Sequence, residues 1–200
     1  MSNKALVYIH GKGGTASDSA FFKPLFPEYD TDGFDYKSEN PLEAESEYKE
    51  YFAELSEKYS SISVIASSLG AYFLMISDVG SVIEKAFFIS PIVNMERLIQ
   101  DMMERADISD EDLKTQKHIQ ISADEILSWE YLTWVRKHPV VWKVPTYILY
   151  GEKDNLQSIE TMTEFAKAID AELTVMPNGE HWFHTDEQIE FRLSWINKYK

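Results

Sequence analysis

The sequence predicts an α/β protein: a mostly parallel sheet flanked by helices on both faces, with a helical insertion between two of its strands. Three observations predict it. Five short β-branched and aromatic runs, Ala5 to Ile9, Ile62 to Ala66, Lys85 to Ile89, Thr146 to Tyr150 and Glu172 to Met176, read as buried strands. Helical patterns separate them, and strict alternation of strand and helix builds a parallel sheet covered on both sides. Residues 92 to 144 break that rhythm, because more than fifty residues stand where one crossover helix would suffice. The 200 residues are read as a single domain carrying this insertion.

Each element has its own local reason. A weaker sixth strand is expected around Gly33 to Tyr36. After Pro41, Tyr48, Phe52, Leu55 and Tyr59 recur at steps of four, three and four, which is one stripe of a helix. Its other face is acidic. From Glu28 to Glu57, eleven acids stand against Lys37 and Lys49, a block of like charge that reads as a solvated flank. Ala71 to Val79 reads as a helix closed by Gly80. In the insertion, Met95, Leu98, Ile99, Met102 and Met103 have helical spacing. Ser109 with Asp112, and Ser122 with Glu125, each fit a capping-box start, the second leading into a helix that runs through Trp129 and Trp134 and ends before Pro139. Ile159 to Ile169 and Glu187 to Lys198 complete the helices, the last with Phe191, Trp195 and Tyr199 on one side. Apolar side chains on an insertion need something to cover, and in open α/β folds ligands bind at the carboxyl edge of the sheet. The insertion is therefore expected to be a lid, with Met102, Met103, Trp129 and Trp134 expected to contact substrate.

Composition removes several classes of function. The net charge of −15 repels phosphates and anionic headgroups, so neither nucleic acid nor a membrane surface is an expected partner. There is no cysteine, hence no disulfide, thiolate nucleophile or Cys-ligated metal, and no H-x-x-x-H or H-E-x-x-H spacing that would suggest a catalytic zinc. The first ten residues hold too short an apolar run for a signal peptide, and no apolar stretch approaches the roughly 18 residues of a spanning helix. A soluble, cytoplasmic protein is expected.

The residues able to do chemistry stand at the ends of the expected strands. Ile65-Ala66-Ser67-Ser68-Leu69-Gly70-Ala71 passes from strand into helix with small residues two before and two after Ser68. A serine at a strained strand-to-helix turn crowds those two positions while its hydroxyl projects above the sheet. Ser67 fails the same test, since Ile65 and Leu69 flank it. A serine-rich helix cap is the plainer reading of this segment. The first strand ends in His10-Gly11-Lys12-Gly13-Gly14, a loop whose N–H groups could face a reacting oxygen, and which lacks the spacing of a P-loop or of G-x-G-x-x-G. The amides of Lys12 and Leu69 are the expected oxyanion donors; the Lys12 side chain could contact substrate or solvent. Asp154 follows the fourth strong strand and His181 the fifth. In a parallel sheet these ends share one edge, so Ser68, Asp154 and His181 can converge as nucleophile, orienting acid and base. His184 is a rival base, Glu152 and Asp186 are rival acids, and His118 and His138 in the insertion read as structural.

With these residues in order, the chain resembles a small α/β-hydrolase nearly end to end. His10-Gly11 is similar to the family's oxyanion loop, Ala66 to Gly70 to its nucleophile elbow with Ala66 in place of the usual Gly, Asp154 to its acid and His181 to its base. The resemblance implies an eight-stranded sheet from which the leading hairpin is missing here, and a helical cap between the sixth and seventh strands. It also implies a serine hydrolase that cleaves small carboxylic esters through an acyl-enzyme and needs no cofactor. A serine aminopeptidase, a thioesterase and a non-catalytic binding module are the alternatives on the same scaffold.

Overall fold

The computed structural model describes residues 2–200. Along the chain come β1 (Lys4–Ile9), β2 (Asp30–Phe34), α1 (Pro41–Lys58), β3 (Ser61–Ser67), α2 (Ser68–Ile76) and β4 (Lys85–Ile89). Next are α3 (Met95–Arg105), α4 (Asp110–Gln116), β5 (His118–Gln120), β6 (Ile126–Ser128) and α5 (Trp129–Lys137). The chain closes with β7 (Thr146–Gly151), α6 (Ile159–Ala168), β8 (Glu172–Met176) and α7 (Asp186–Tyr199). Two compact units result, the second being Asn94–Val140. No helix among the described residues is long and apolar enough to cross a membrane.

The first unit is a six-stranded, wholly parallel sheet in the order β2-β1-β3-β4-β7-β8. The chain leaves β1 for β2 on one side and then crosses to β3 on the other. This makes the carboxyl ends of β1 and β3 a topological switch point, where α/β sheets open a crevice. Register brings those ends level: Ile9 pairs with Ala66, and Ser67 with Ile89. On one face Leu6, Ile65, Phe87 and Leu149 are buried against Trp195 and Ile196 of α7, with Phe191 and Tyr199 partly buried beside them, as the spacing of the last helix predicts. Aromatic contacts dominate elsewhere: Tyr48 of α1 meets Phe34 at 4.9 Å and Phe73 of α2 at 6.4 Å, both edge-on. The stripe on α1 is real for Tyr48 and Phe52, which are fully buried, but Leu55 is only half-buried. Tyr59 caps the helix in extended conformation and its hydroxyl donates to Asp30.

Three elements of this unit differ from expectation. Strand β8, Glu172–Met176, is an edge strand rather than a buried one: Glu172 and Val175 are exposed and only Met176 is buried, because β8 has a neighbour, β7, on one side alone. The edge strand lies at Asp30–Phe34 rather than Gly33 to Tyr36, because an edge strand with one side in water can pair through Asp30, Thr31 and Asp32 without an apolar pattern. Tyr36 leaves the strand so that its ring can stack on His10, centroids 4.5 Å apart. Helix α2 begins at Ser68, not Ala71, and ends at Ile76, not Val79. Ser77 donates to the Phe73 carbonyl at 2.6 Å, and Asp78 takes the left-handed conformation (φ 52°) that closes a helix. Gly80 opens a short 3₁₀ turn instead of capping α2.

The second unit holds three helices and, unexpectedly, a two-stranded antiparallel hairpin, β5 with β6. The Ser109–Asp112 capping box forms, with bonds of 3.1 and 3.0 Å. Ser122 and Glu125 do not start a helix: the N–H groups of Ile121 and Ser122 donate to the Glu125 carbonyl and close the hairpin turn. Pairing of His118 with Ser128 holds 126–128 extended, so α5 starts only at Trp129, with Ser128 accepting from the Tyr131 N–H. Arg136 reaches Asp110 at 2.7 Å and Glu96 at 2.9 Å, and so links three helices of the unit. Met103 is buried, Met102, Trp129 and Trp134 are half-buried, and Trp134 stacks on His138 at 4.1 Å.

Candidate active site

The site grows out of the turn between β3 and α2. Ser68 has φ 48°, a left-handed conformation that costs a non-glycine residue about 1–2 kcal/mol. Such strain persists only where the surroundings over-determine it. The surroundings here are tight. A Cβ on Gly70 would lie 2.2 Å from the His10 carbonyl oxygen, and one on Gly11 would lie 2.9 Å from the Ser68 Cβ. The small residues around Ser68 are thus explained by the elbow crossing the end of β1 in backbone contact. Gly70→Ala forces α2 away from β1 and is expected to destabilise the fold by about 3 kcal/mol, the upper end for overpacking. In thermal unfolding that should appear as a fall in Tm of about 10 °C; an unchanged Tm would contradict the packing described.

Three side chains far apart in sequence meet above this turn. The Ser68 hydroxyl lies 2.8 Å from His181 Nε2, and His181 Nδ1 lies 2.6 Å from Asp154 Oδ2. A carboxylate only accepts, so Nδ1 carries the proton, Nε2 presents its lone pair, and Ser68 donates to it. The side chains of His181 and Asp154 are fully buried. The second Asp154 oxygen accepts from the backbone N–H groups of Leu156 (2.8 Å) and Gln157 (3.3 Å), which fixes the carboxylate plane. A hydroxyl sharing its proton with an imidazole that is itself held by a buried carboxylate can be activated as a nucleophile.

The acid loop has supports that sequence reasoning did not find. The Tyr150 hydroxyl donates to the Gln157 carbonyl at 2.8 Å; burial first, then the charges of Asp154 and Glu160, push this phenol up to about 12, so it remains a donor. The Gln157 side-chain oxygen accepts from the Val93 N–H at 3.1 Å, joining the acid loop to the chain after β4. Likewise the Tyr36 hydroxyl donates to the His10 carbonyl at 3.0 Å, ahead of the glycine loop. Burial holds that phenol above its ordinary range. A lone glutamine or tyrosine carries no spacing signal, so none of these could have been picked out from sequence.

The other candidates separate clearly. Ser67 caps α2 from an extended backbone and does not take the strained position. His184 is exposed and pairs with Glu180 at 3.2 Å. Glu152 accepts from the Asn178 N–H at 2.8 Å, and Asp186 is exposed in the first turn of α7. Lys12 is exposed in a tight turn in which Gly14 donates to the Gly11 carbonyl at 3.1 Å, and a Cβ on its neighbour Gly11 would run into Ser68. Leu69 follows Ser68 in the first turn of α2. Met102, Met103, Trp129 and Trp134 all belong to the second unit.

By sequence, no family model and no curated protein matches the chain. Solved structures do. It is similar to the α/β-hydrolase domain-containing protein 10 of mouse, at 12% identity and a TM-score of 0.75 over 97% of this chain and 88% of that one. It is similar to Est1E of Butyrivibrio proteoclasticus at 13% identity and a TM-score of 0.76, covering 99% and 87% of the two chains. An esterase of Pyrococcus furiosus matches at 18% identity and a TM-score of 0.63, over 98% and 80%. With the sheet order, the strained serine and these matches together, the chain has the α/β-hydrolase fold.

Proposed function

We propose that the protein is a serine hydrolase that cleaves small carboxylic esters through an acyl-enzyme. The observation that carries this reading is the unbroken hydrogen-bonded chain from Ser68 through His181 to Asp154, set on a left-handed serine at the switch point of the sheet. Ser68 Oγ attacks the ester carbonyl while His181 Nε2 takes its proton. Asp154 keeps the imidazole in the required tautomer and stabilises the imidazolium. The amides of Leu69 and Lys12 hold the oxyanion, His181 returns the proton to the departing alkoxide, and water repeats the sequence on the acyl group. No cofactor takes part. Support also comes from Est1E, whose solved structure holds ferulic acid, a small carboxylic acid.

Labelling with a fluorophosphonate, followed by panels of p-nitrophenyl esters, thioesters and aminoacyl anilides, tests the reading. Ester turnover with labelled Ser68 supports it. Turnover of only the thioesters or anilides moves the assignment to a thioesterase or aminopeptidase. Absence of labelling and turnover leaves a binding module.

The insertion is assigned the part of a lid that sets acyl-chain preference, with Met102, Met103, Trp129 and Trp134 offering apolar surface. Each methylene buried against such surface is worth about 0.8 kcal/mol, so specificity should climb as the acyl chain lengthens from acetate and then fall. Met102→Ala is expected to move the optimum toward longer chains, read as kcat/KM across a homologous ester series. An optimum fixed at acetate in both proteins would remove the lid from specificity.

A further inference from the structure

Directly after the base stands Trp182, 57% exposed, with its ring edge-on to the His181 imidazole at a centroid distance of 5.1 Å. A single exposed aromatic is ordinary on a protein surface and by itself says nothing. What distinguishes this one is how it is held. Its neighbours on both sides are buried, His181 at the reacting centre and Phe183 in the core cluster with Phe87 and Trp195. Phe183 has φ 46°, an unusual conformation for a bulky side chain, and its N–H donates to the Glu180 carbonyl. The phenyl anchor and the left-handed turn therefore fix the backbone on either side of the indole. This large apolar ring is presented to solvent beside the base by a turn that accepts strain to do so, and backbone strain of this kind concentrates at ligand clamps and reacting sites.

From this placement we infer that Trp182 is a specificity-determining residue that takes the leaving-group side of the substrate and favours esters of planar, aromatic alcohols. The inference rests on the proposed ester hydrolysis. In that reaction the departing oxygen must come within about 3 Å of His181 Nε2 to receive its proton. The atoms bonded to that oxygen then lie next to the imidazole, and the indole is the exposed ring already in contact with it. A flat aryl group there gains an aromatic partner in offset or edge-on geometry, which a flexible alkyl group of equal size does not match.

The experiment compares kcat/KM for phenyl acetate with that for hexafluoroisopropyl acetate, whose alcohols are of comparable acidity, so that the chemical step is balanced. Trp182→Ala is expected to lower the aryl-to-alkyl ratio about tenfold relative to the parent, and Trp182→Phe, which keeps a ring, to lower it much less. Equal losses on both esters, or a ratio unchanged in Trp182→Ala, would overturn the inference while leaving ester hydrolysis standing. A parent that hydrolyses neither ester and whose Ser68 is not labelled by a fluorophosphonate overturns the proposed function, and this inference with it.

Discussion

Ser68→Ala is expected to abolish fluorophosphonate labelling and to cut ester turnover by about 10⁴- to 10⁶-fold. The loss is large because the three side chains act as a unit: without the Oγ there is no atom to form the acyl-enzyme, and His181 then has no hydroxyl to deprotonate. What survives is the contribution of the oxyanion donors and of binding alone. Ser67→Ala serves as the control. Ser67 is the cap of α2 with an extended backbone and no side-chain bond to the helix N–H groups, so its removal should leave labelling intact. Both proteins should still fold; Ser67→Ala takes away the hydroxyl bonded to the buried Tyr8 phenol and is expected to lose about 1–3 kcal/mol of stability without losing labelling. If Ser67→Ala were the silent protein, and Ser68→Ala were still labelled, the nucleophile would be misassigned.

Asp154→Asn is expected to lower kcat by about 10⁴-fold with the fold retained. The surroundings dictate the direction. Two backbone N–H groups, of Leu156 and Gln157, point at one oxygen of this side chain, so an asparagine must place its carbonyl oxygen there and its NH₂ toward His181. An amide donor facing Nδ1 selects the opposite tautomer, with the proton on Nε2. Nε2 then cannot accept from Ser68, although every heavy atom stays within a few tenths of an ångström of its place. The loop keeps its backbone bonds, and Gln157 keeps its link to Val93, so stability should change little. The measurements are single-turnover kinetics on an activated ester and thermal unfolding. Glu152→Gln and Asp186→Asn, whose carboxylates lie away from His181, should run at the parent rate. Activity of Asp154→Asn above a tenth of the parent's would mean that another group orients the base.

Much of this molecule is legible along the chain because its signals are local. A parallel strand buried on both faces must be apolar throughout, and so the four interior runs, β1, β3, β4 and β7, stand out. Of the two edge strands, β8 keeps enough apolar residues in Leu173, Val175 and Met176 to be read, while β2, half in water and built on Asp30, Thr31 and Asp32, does not. The small residues two either side of Ser68 record a steric fact of the turn itself, and Asp154 and His181 follow directly on strand ends, where parallel topology gathers side chains at one edge. Other features were decided by partners distant in sequence. Strand order sets Ser68 within 2.8 Å of a histidine 113 residues away, while His184, three residues further on, is turned to solvent. The pairing of 118–120 with 126–128 overrides a good capping-box pattern at Ser122, because ladder hydrogen bonds outweigh a local cap. Tyr150, Gln157 and Tyr36 support the site through bonds to backbone groups on other segments. A polar side chain aimed at a remote carbonyl or N–H has no periodicity, and only the folded arrangement of the chain selects which group it meets.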